Sequence, residues 1–515
     1  MGIDIKNIRF LILATLLVFQ INSINGQTSL QKIGLKSGKY HVGFKHYLAA
    51  DSTRTYKRIF DWNNKSIPRP IPVSLWYPSK NKTNSIQPIK VLDYMEILKQ
   101  EEEWEYLPNE QILNWFYYPN TPSNQAHLLE TTLAYSEIEP MKGKYPVVIY
   151  APGQELSSIE NFALCEFLAS YGYIVISSPS RGTDNRFFQN VEKGMETQAR
   201  DIEFLIKEVT ALSSADLDQI ATMGFSFGGL SNVLVQMRND KIKAIVSLDG
   251  AIKYQYTTLK KSPFFNIEKV DVPFIHMSQK DIPEEVLKED KIDPGLNLNF
   301  EFYDSITNSK AYQLKFNNLT HSYFSTLGVL FEQRDKRQDK SDAEIMESYA
   351  LVSKYTLNFL DAFLKNDADA LQFLDRDPVD NGIKSGLIRK KEKEPENGTF
   401  TFQDFNELAS KQNYKSLEEL YNSILKNNPT FELPEGNLNN LGLQLVFNPV
   451  TSQQGINILL MATSIYSNSA NLFDSLAEAY LYVGNNKKAS ANFEKSLQLN
   501  PENQNAIDRL KQLRE

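Results

Sequence analysis

A single cysteine, Cys165, stands in the 515 residues, so no intrachain disulfide can form and cross-links cannot be what holds this chain folded. That cysteine lies in the apolar helical stretch NFALCEFLASYG, where a buried inert thiol is the expected state. Basic charge is not in excess either. With 55 Lys and Arg against 63 Asp and Glu the formal charge is −8, which excludes long-range attraction to nucleic acid or to an anionic membrane as an organising principle. Histidine is scarce, with five in the chain, and this narrows any search for a catalytic base to a short list. After the first two dozen residues no apolar run is long enough to span a bilayer.

The N-terminus carries Lys6 and Arg9, then an apolar run from Phe10 to Phe19, then the polar segment INSINGQ. This is the pattern of a secretory signal, with cleavage near Gly26, and it predicts an exported, periplasmic or secreted protein. No cysteine follows the run to accept a lipid anchor, and no integral span is expected once the signal is removed.

Ordinary proportions of hydrophobic (41%) and charged (23%) residues predict folded protein, and the length exceeds what one hydrophobic core fills. From Lys144 to Phe316 short β-branched runs alternate with amphipathic stretches: YPVVIYA, GYIVISS, QIATMGF, IKAIVSLD, VPFIHM and AYQLKF, with helices around 161–170, 192–213 and 227–238 between them. Such alternation predicts a mostly parallel sheet flanked by helices on both faces, whose ligands sit beyond the carboxyl ends of the strands. Upstream, VSLWYPS reads as an antiparallel edge strand, and 90–135 as an aromatic-rich helical insertion. Downstream, SDAEIMESYALVSKYTLNFLDAFLKND reads as a long closing helix.

The stretch 368–399, with its charged run IRKKEKE, reads as a solvated linker. Beyond it, 400–515 is predicted to be all-helical. NLFDSLAEAYLYVGNNKKASANFEKSLQLNP fits the tetratricopeptide pattern of about 34 residues, with Phe473, Leu476, Ala477, Tyr480, Gly484, Ala489, Phe493 and Pro501 in its packing positions, and a degenerate earlier copy precedes it. Such repeats either cover the larger domain or recruit a protein partner.

Within the alternating block, ATMGFSFGGL places Ser226 between Gly224 and Gly228, after a predicted strand and before a predicted helix. A reversal this tight forces strained backbone angles on its central residue and small neighbours beside it, and it presents the hydroxyl beyond the sheet edge. A serine hydroxyl needs a base. His41, His46 and His127 precede Ser226, against the order serine, acid, histidine of the α/β-hydrolase fold, and His276 sits inside an apolar strand. His321, in the loop LTHSYFS after the last predicted strand, remains. Asp249 and Asp281 both follow strands and both qualify as the acid on spacing alone. The backbone N–H groups of Phe227 and of Gln154, in the loop YAPGQE, are the expected oxyanion donors.

WYPS, KYPVVIYAPG, GYIVISSPSRG, GFSFGG and SLDG together resemble the platelet-activating-factor acetylhydrolase group of α/β-hydrolases, related to the dienelactone-hydrolase-like enzymes, over roughly Pro70 to Asp367. The resemblance implies an acid directly after the strand that follows the nucleophile helix, which favours Asp249. It also implies a histidine followed by aromatics, as His321 is by Tyr323 and Phe324. Where many members have His-Gly before the oxyanion donor, this chain has Pro152 and Gly153. The expectation is an α/β-hydrolase domain at 27–367 joined to a small helical domain, acting as a serine esterase on short-acyl small-molecule, lipid or saccharide esters. The alternatives are a peptidase or amidase on the same residues, or a repeat-based scaffold with a vestigial hydrolase domain. This chemistry needs no metal or organic cofactor.

Overall fold

A computed structural model describes residues 28–80, 86–289, 293–331, 337–395, 400–428 and 431–514. The expected signal at 1–26 lies outside the described residues. The chain divides into two units, Met1–Glu396 and Asn397–Glu515.

Ten strands of the first unit form one sheet: β1 (His41–Tyr56), β2 (Ile67–Ser79), β3 (Ala134–Ser136), β4 (Tyr145–Ala151), β5 (Ile174–Ser177), β6 (Ala215–Phe225), β7 (Ile242–Leu248), β8 (Phe274–Ser278), β9 (Ala311–Phe316) and β10 (Ile388–Lys393). Their order is β10-β9-β8-β7-β6-β4-β5-β2-β1-β3. The run from β5 to β9 is parallel, whereas β2 and β10 join antiparallel at its two sides. This is the mostly parallel, helix-flanked sheet of the α/β-hydrolase fold.

Side-chain alternation splits the core into two layers. On one face Val148, Tyr150, Met223, Phe225, Val246 and Leu248 pack against α2 (Phe162–Ser170) and α5 (Asp342–Leu364). On the other, Val147, Ile149, Ile220 and Ile245 meet α3 (Val191–Glu208) and α4 (Gly228–Arg238). α2 is buried along its whole length, which is why Cys165 is enclosed and its thiol is pushed up by burial, as expected of an inert residue. α5 begins with a capping box in which Ser341 and Glu344 satisfy each other's backbone N–H groups, a device worth about 1 kcal/mol. The insertion at 90–135 is helical in part, with α1 (Val91–Glu101) its longest helix.

Two sequence expectations need correction. The stretch read as a linker, 368–399, contains α6 (Ala368–Asp375) and β10, and the unit boundary falls at Glu396 rather than Asp367. The charged run is an edge strand. Ile388 lies over Phe316 and anchors it, while its lysines suit an edge that faces water. The long strand β1 also went unread, since its polar, half-exposed residues carry little apolar alternation.

The second unit is all α: α7 (Phe402–Lys411), α8 (Leu417–Asn427), α9 (Glu435–Val446), α10 (Ser452–Ile465), α11 (Ala470–Tyr482), α12 (Asn486–Leu499) and α13 (Gln504–Arg514). Leu476, Ala477, Tyr480, Ala489 and Phe493 are buried together with Val446 and Leu459, so the α11–α12 pair packs on the α9–α10 pair. No described helix is long and apolar enough to cross a membrane.

Candidate active site

The tight reversal after β6 has the backbone its sequence demands. Ser226 has φ +52°, in the left-handed region, and its carbonyl accepts hydrogen bonds from Gly229 N (3.0 Å) and Ala251 N (2.7 Å). A Cβ on Gly228 would lie 2.0 Å from the Ala151 carbonyl oxygen, and one on Gly224 2.4 Å from the Gly228 backbone, so both positions exclude larger residues. Such strain persists because the flanking strand and helix over-determine it.

Three side chains converge at the carboxyl ends of β6, β7 and β9. His321 Nε2 lies 2.9 Å from Ser226 Oγ, and His321 Nδ1 lies 2.6 Å from Asp249 Oδ2. Asp249 is fully buried, at φ +41°; its N–H donates to the Met277 carbonyl (2.6 Å), and its Oδ1 accepts from Gln279 N (3.0 Å). Burial alone would raise this carboxyl. The hydrogen bond and charge of His321 and the Gln279 N–H outweigh burial and hold it below its ordinary value, so it stays ionised. His321 sits in a short turn after β9 with its ring stacked on Phe225 at 5.0 Å, which leaves it little freedom to leave the serine.

Asp281 is not at this site. It pairs with Lys315 and lies 3.6 Å from Arg389, with 41% of its side chain exposed. The other histidines are placed elsewhere. His276 is enclosed in β8 with Nδ1 2.9 Å from Ser247 Oγ, and burial pushes it down to about 3, so it remains neutral. His127 pairs with Glu130 at 2.6 Å, His46 contacts Ser74 at 3.1 Å, and the His41 ring meets Tyr135.

The loop after β4 abuts the nucleophile: a Cβ on Gly153 would fall 3.2 Å from Ser226 Cβ and 2.7 Å from Leu156 Cδ1. Neither Gln154 N–H nor Phe227 N–H donates to another group of the described residues. Sequence reading missed two residues that fix these parts. Gln198 on α3 donates to the Pro152 carbonyl (2.8 Å) and holds the loop, and Gln279 supports Asp249 through its backbone. Gln198 is a buried polar residue on the apolar side of α3, a signal that an amphipathic reading contains. The Gln279 contact is a backbone one and leaves no trace in side-chain type.

No group of three or more His, Cys, Asp or Glu arranged to hold a metal ion occurs among the described residues. The arrangement can take the proton from Ser226 and orient the imidazole that receives it, the requirements of nucleophilic acyl transfer.

Among known proteins, the family model described as the prolyl oligopeptidase family matches residues 161–279, a stretch that holds Ser226 and Asp249 and ends before His321. No curated protein matches the chain. Among solved structures, a ferulic acid esterase from Streptomyces cinnamoneus is similar at 18% identity with a TM-score of 0.48, over 70% of this chain and 98% of that one.

Proposed function

We propose that the protein is an exported serine hydrolase that cleaves carboxylic esters with short acyl groups. The observation that carries this reading is the hydrogen-bonded chain from Ser226 through His321 to the buried Asp249. His321 Nε2 takes the proton as Ser226 Oγ adds to the carbonyl carbon, and the tetrahedral oxyanion is met by the N–H groups of Phe227 and Gln154. Collapse expels the alcohol, which leaves with the proton from Nε2. Water then loses a proton to Nε2, attacks the acyl-serine, and a second collapse restores the hydroxyl. Asp249 fixes the imidazole tautomer throughout. Short acyl groups are supported by the resemblance of WYPS, GFSFGG and SLDG to acetylhydrolases.

Peptide or amide hydrolysis is the second reading, favoured by the prolyl oligopeptidase family match across Ser226 and Asp249. Rates on short nitrophenyl esters against prolyl and other peptide nitroanilides, for wild type and Ser226→Ala, separate the two. Ester turnover with no peptide turnover supports the proposal, and the reverse replaces it. For the helical unit, we infer tetratricopeptide-type pairs that recruit a protein partner; loss of co-purifying protein on removing 400–515 tests this.

A further inference from the structure

The loop after β4 reads PGQELSS, and Gln154 stands in it between two fixed neighbours. Before it, the Pro152 carbonyl is held by Gln198 Nε2 at 2.8 Å, and Gly153 abuts Ser226. After it comes Glu155 at φ +57°, in the left-handed region that side chains seldom adopt. Glycine would take up this backbone without strain, and a larger residue persists there only where its surroundings over-determine it. The chain carries a glutamate instead, and its carboxylate has a partner.

Glu155 Oε1 accepts from Phe188 N at 2.7 Å. A carboxylate on a backbone N–H makes a charge-assisted hydrogen bond, stronger than a neutral one. It fixes Glu155 in a turn that Leu156 N also closes by donating to the Gly153 carbonyl at 3.1 Å. Phe188 in turn reaches the nucleophile side. Its ring meets the Phe227 ring edge to face, with centroids 5.0 Å apart. The same ring rests on α3 at Gly194, where a Cβ would come 2.4 Å from Phe188 Cε2, and Gln198 follows one turn later on that helix. One face of α3 thus supports both the Phe188 ring and the Pro152 carbonyl.

The Glu155–Phe188 contact therefore joins two segments that are far apart in sequence, the residue after Gln154 and the residue after Ser226. Resting on the reading of Gln154 and Phe227 N–H as the oxyanion donors, we propose that Glu155 is a positioning residue that, through Phe188, sets these two donors relative to each other. As Ser226 Oγ bonds to the carbonyl carbon, the π pair moves to oxygen and the serine proton passes to His321 Nε2. Glu155 touches none of these atoms and acts on how well the charge formed on that oxygen is met. An interaction made only in the transition state shows in kcat and leaves KM unmoved.

The test uses the full-length protein with nitrophenyl acetate as substrate and trifluoroacetone as inhibitor, whose carbonyl takes Ser226 Oγ to give a hemiketal oxyanion. Wild type is compared with Glu155→Ala, Glu155→Gly, Glu155→Gln and Phe188→Leu, with circular dichroism to verify folding. Glu155→Ala should lower kcat about tenfold, a fraction of the ~10²–10³ lost with a whole oxyanion donor. KM should stay within about twofold, and Ki for trifluoroacetone should rise by the factor by which kcat/KM falls. Glu155→Gly relaxes the backbone without restoring the carboxylate and should lose as much, whereas Glu155→Gln keeps an acceptor oxygen and should recover most of the rate. Phe188→Leu retains the backbone donor and apolar packing, so it remains informative if the loop variants fail to fold. It should lower kcat, and combined with Glu155→Ala should cost less than the product of the two single losses. A Glu155→Ala or Phe188→Leu enzyme within about twofold of wild type overturns the proposal, as does full activity in Glu155→Gly or a loss confined to KM with Ki unchanged. Each of those results leaves the ester reading standing, since wild type turns over nitrophenyl acetate; wild type that neither turns it over nor binds trifluoroacetone removes that reading itself.

Discussion

Replacing Asp249 with asparagine should disable the enzyme while leaving its fold in place. The carboxylate accepts from His321 Nδ1 and from Gln279 N. An amide of the same shape can keep the Gln279 contact through its oxygen, but it then presents an NH2 group to Nδ1. The imidazole responds by carrying its proton on Nε2, the nitrogen that must accept from Ser226 Oγ. A wrong tautomer of this kind costs ~10⁴ in kcat, or about 5 kcal/mol at ~1.4 kcal/mol per decade. Asp281→Asn is the matched control. Its ion pairs are partly exposed and worth about 0–1 kcal/mol of stability, and kcat should stay within about twofold. Steady-state kinetics on nitrophenyl acetate, with circular dichroism to verify folding, gives both numbers. An Asp281→Asn loss equal to that of Asp249→Asn, or an Asp249→Asn enzyme within about tenfold of wild type, would refute the assignment of the acid.

Two buried groups give stability opposite pH dependences. His276, pushed down to about 3 by burial, stays neutral in the fold while an unfolded histidine protonates below ~6.5, so its contribution is complete above that pH and is lost toward 3, by roughly 1 kcal/mol per unit. His276→Gln should flatten the fall in Tm between pH 6.5 and 4; an unchanged slope contradicts this. Glu166, raised to about 7 by burial against the hydrogen bonds of Tyr94 and Leu133, holds its proton in the fold, so its contribution is complete below ~4.3 and is lost as pH rises through 7. Glu166→Gln should therefore gain Tm relative to wild type at pH 8 more than at pH 5, and an equal change at both values counts against it. Gly153→Ala places a methyl against Leu156 and Ser226 and should lower kcat toward the ~10² loss of a displaced oxyanion donor with Tm little changed; unaltered kcat would show that the loop has room to yield. A chain ending at residue 395 should fold and keep its nitrophenyl acetate turnover, as the unit boundary implies, and an insoluble product would contradict that boundary.

The six central strands were legible because each is a short β-branched run bounded by a helix, and AYQLKF and YPVVIYA coincide with β9 and β4. Ser226 was legible for a steric reason: Gly224 and Gly228 occur where no side chain fits. Spacing alone could not choose between Asp249 and Asp281, since both follow strands; the choice lies in φ +41° at Asp249, which turns its carboxylate toward His321, and in the Lys315 contact that holds Asp281 away. β10 was illegible because an edge strand exposed to water reads like a linker, and only Ile388 packing over Phe316 reveals it.

The central claim is that Ser226 becomes acylated. Incubating the folded protein with a fluorophosphonate, then measuring intact mass and mapping the modified peptide, tests this directly. The account predicts one adduct on Ser226, absent in Ser226→Ala and strongly slowed in His321→Ala; no adduct on folded wild type, or an adduct on another residue that survives Ser226→Ala, would contradict it.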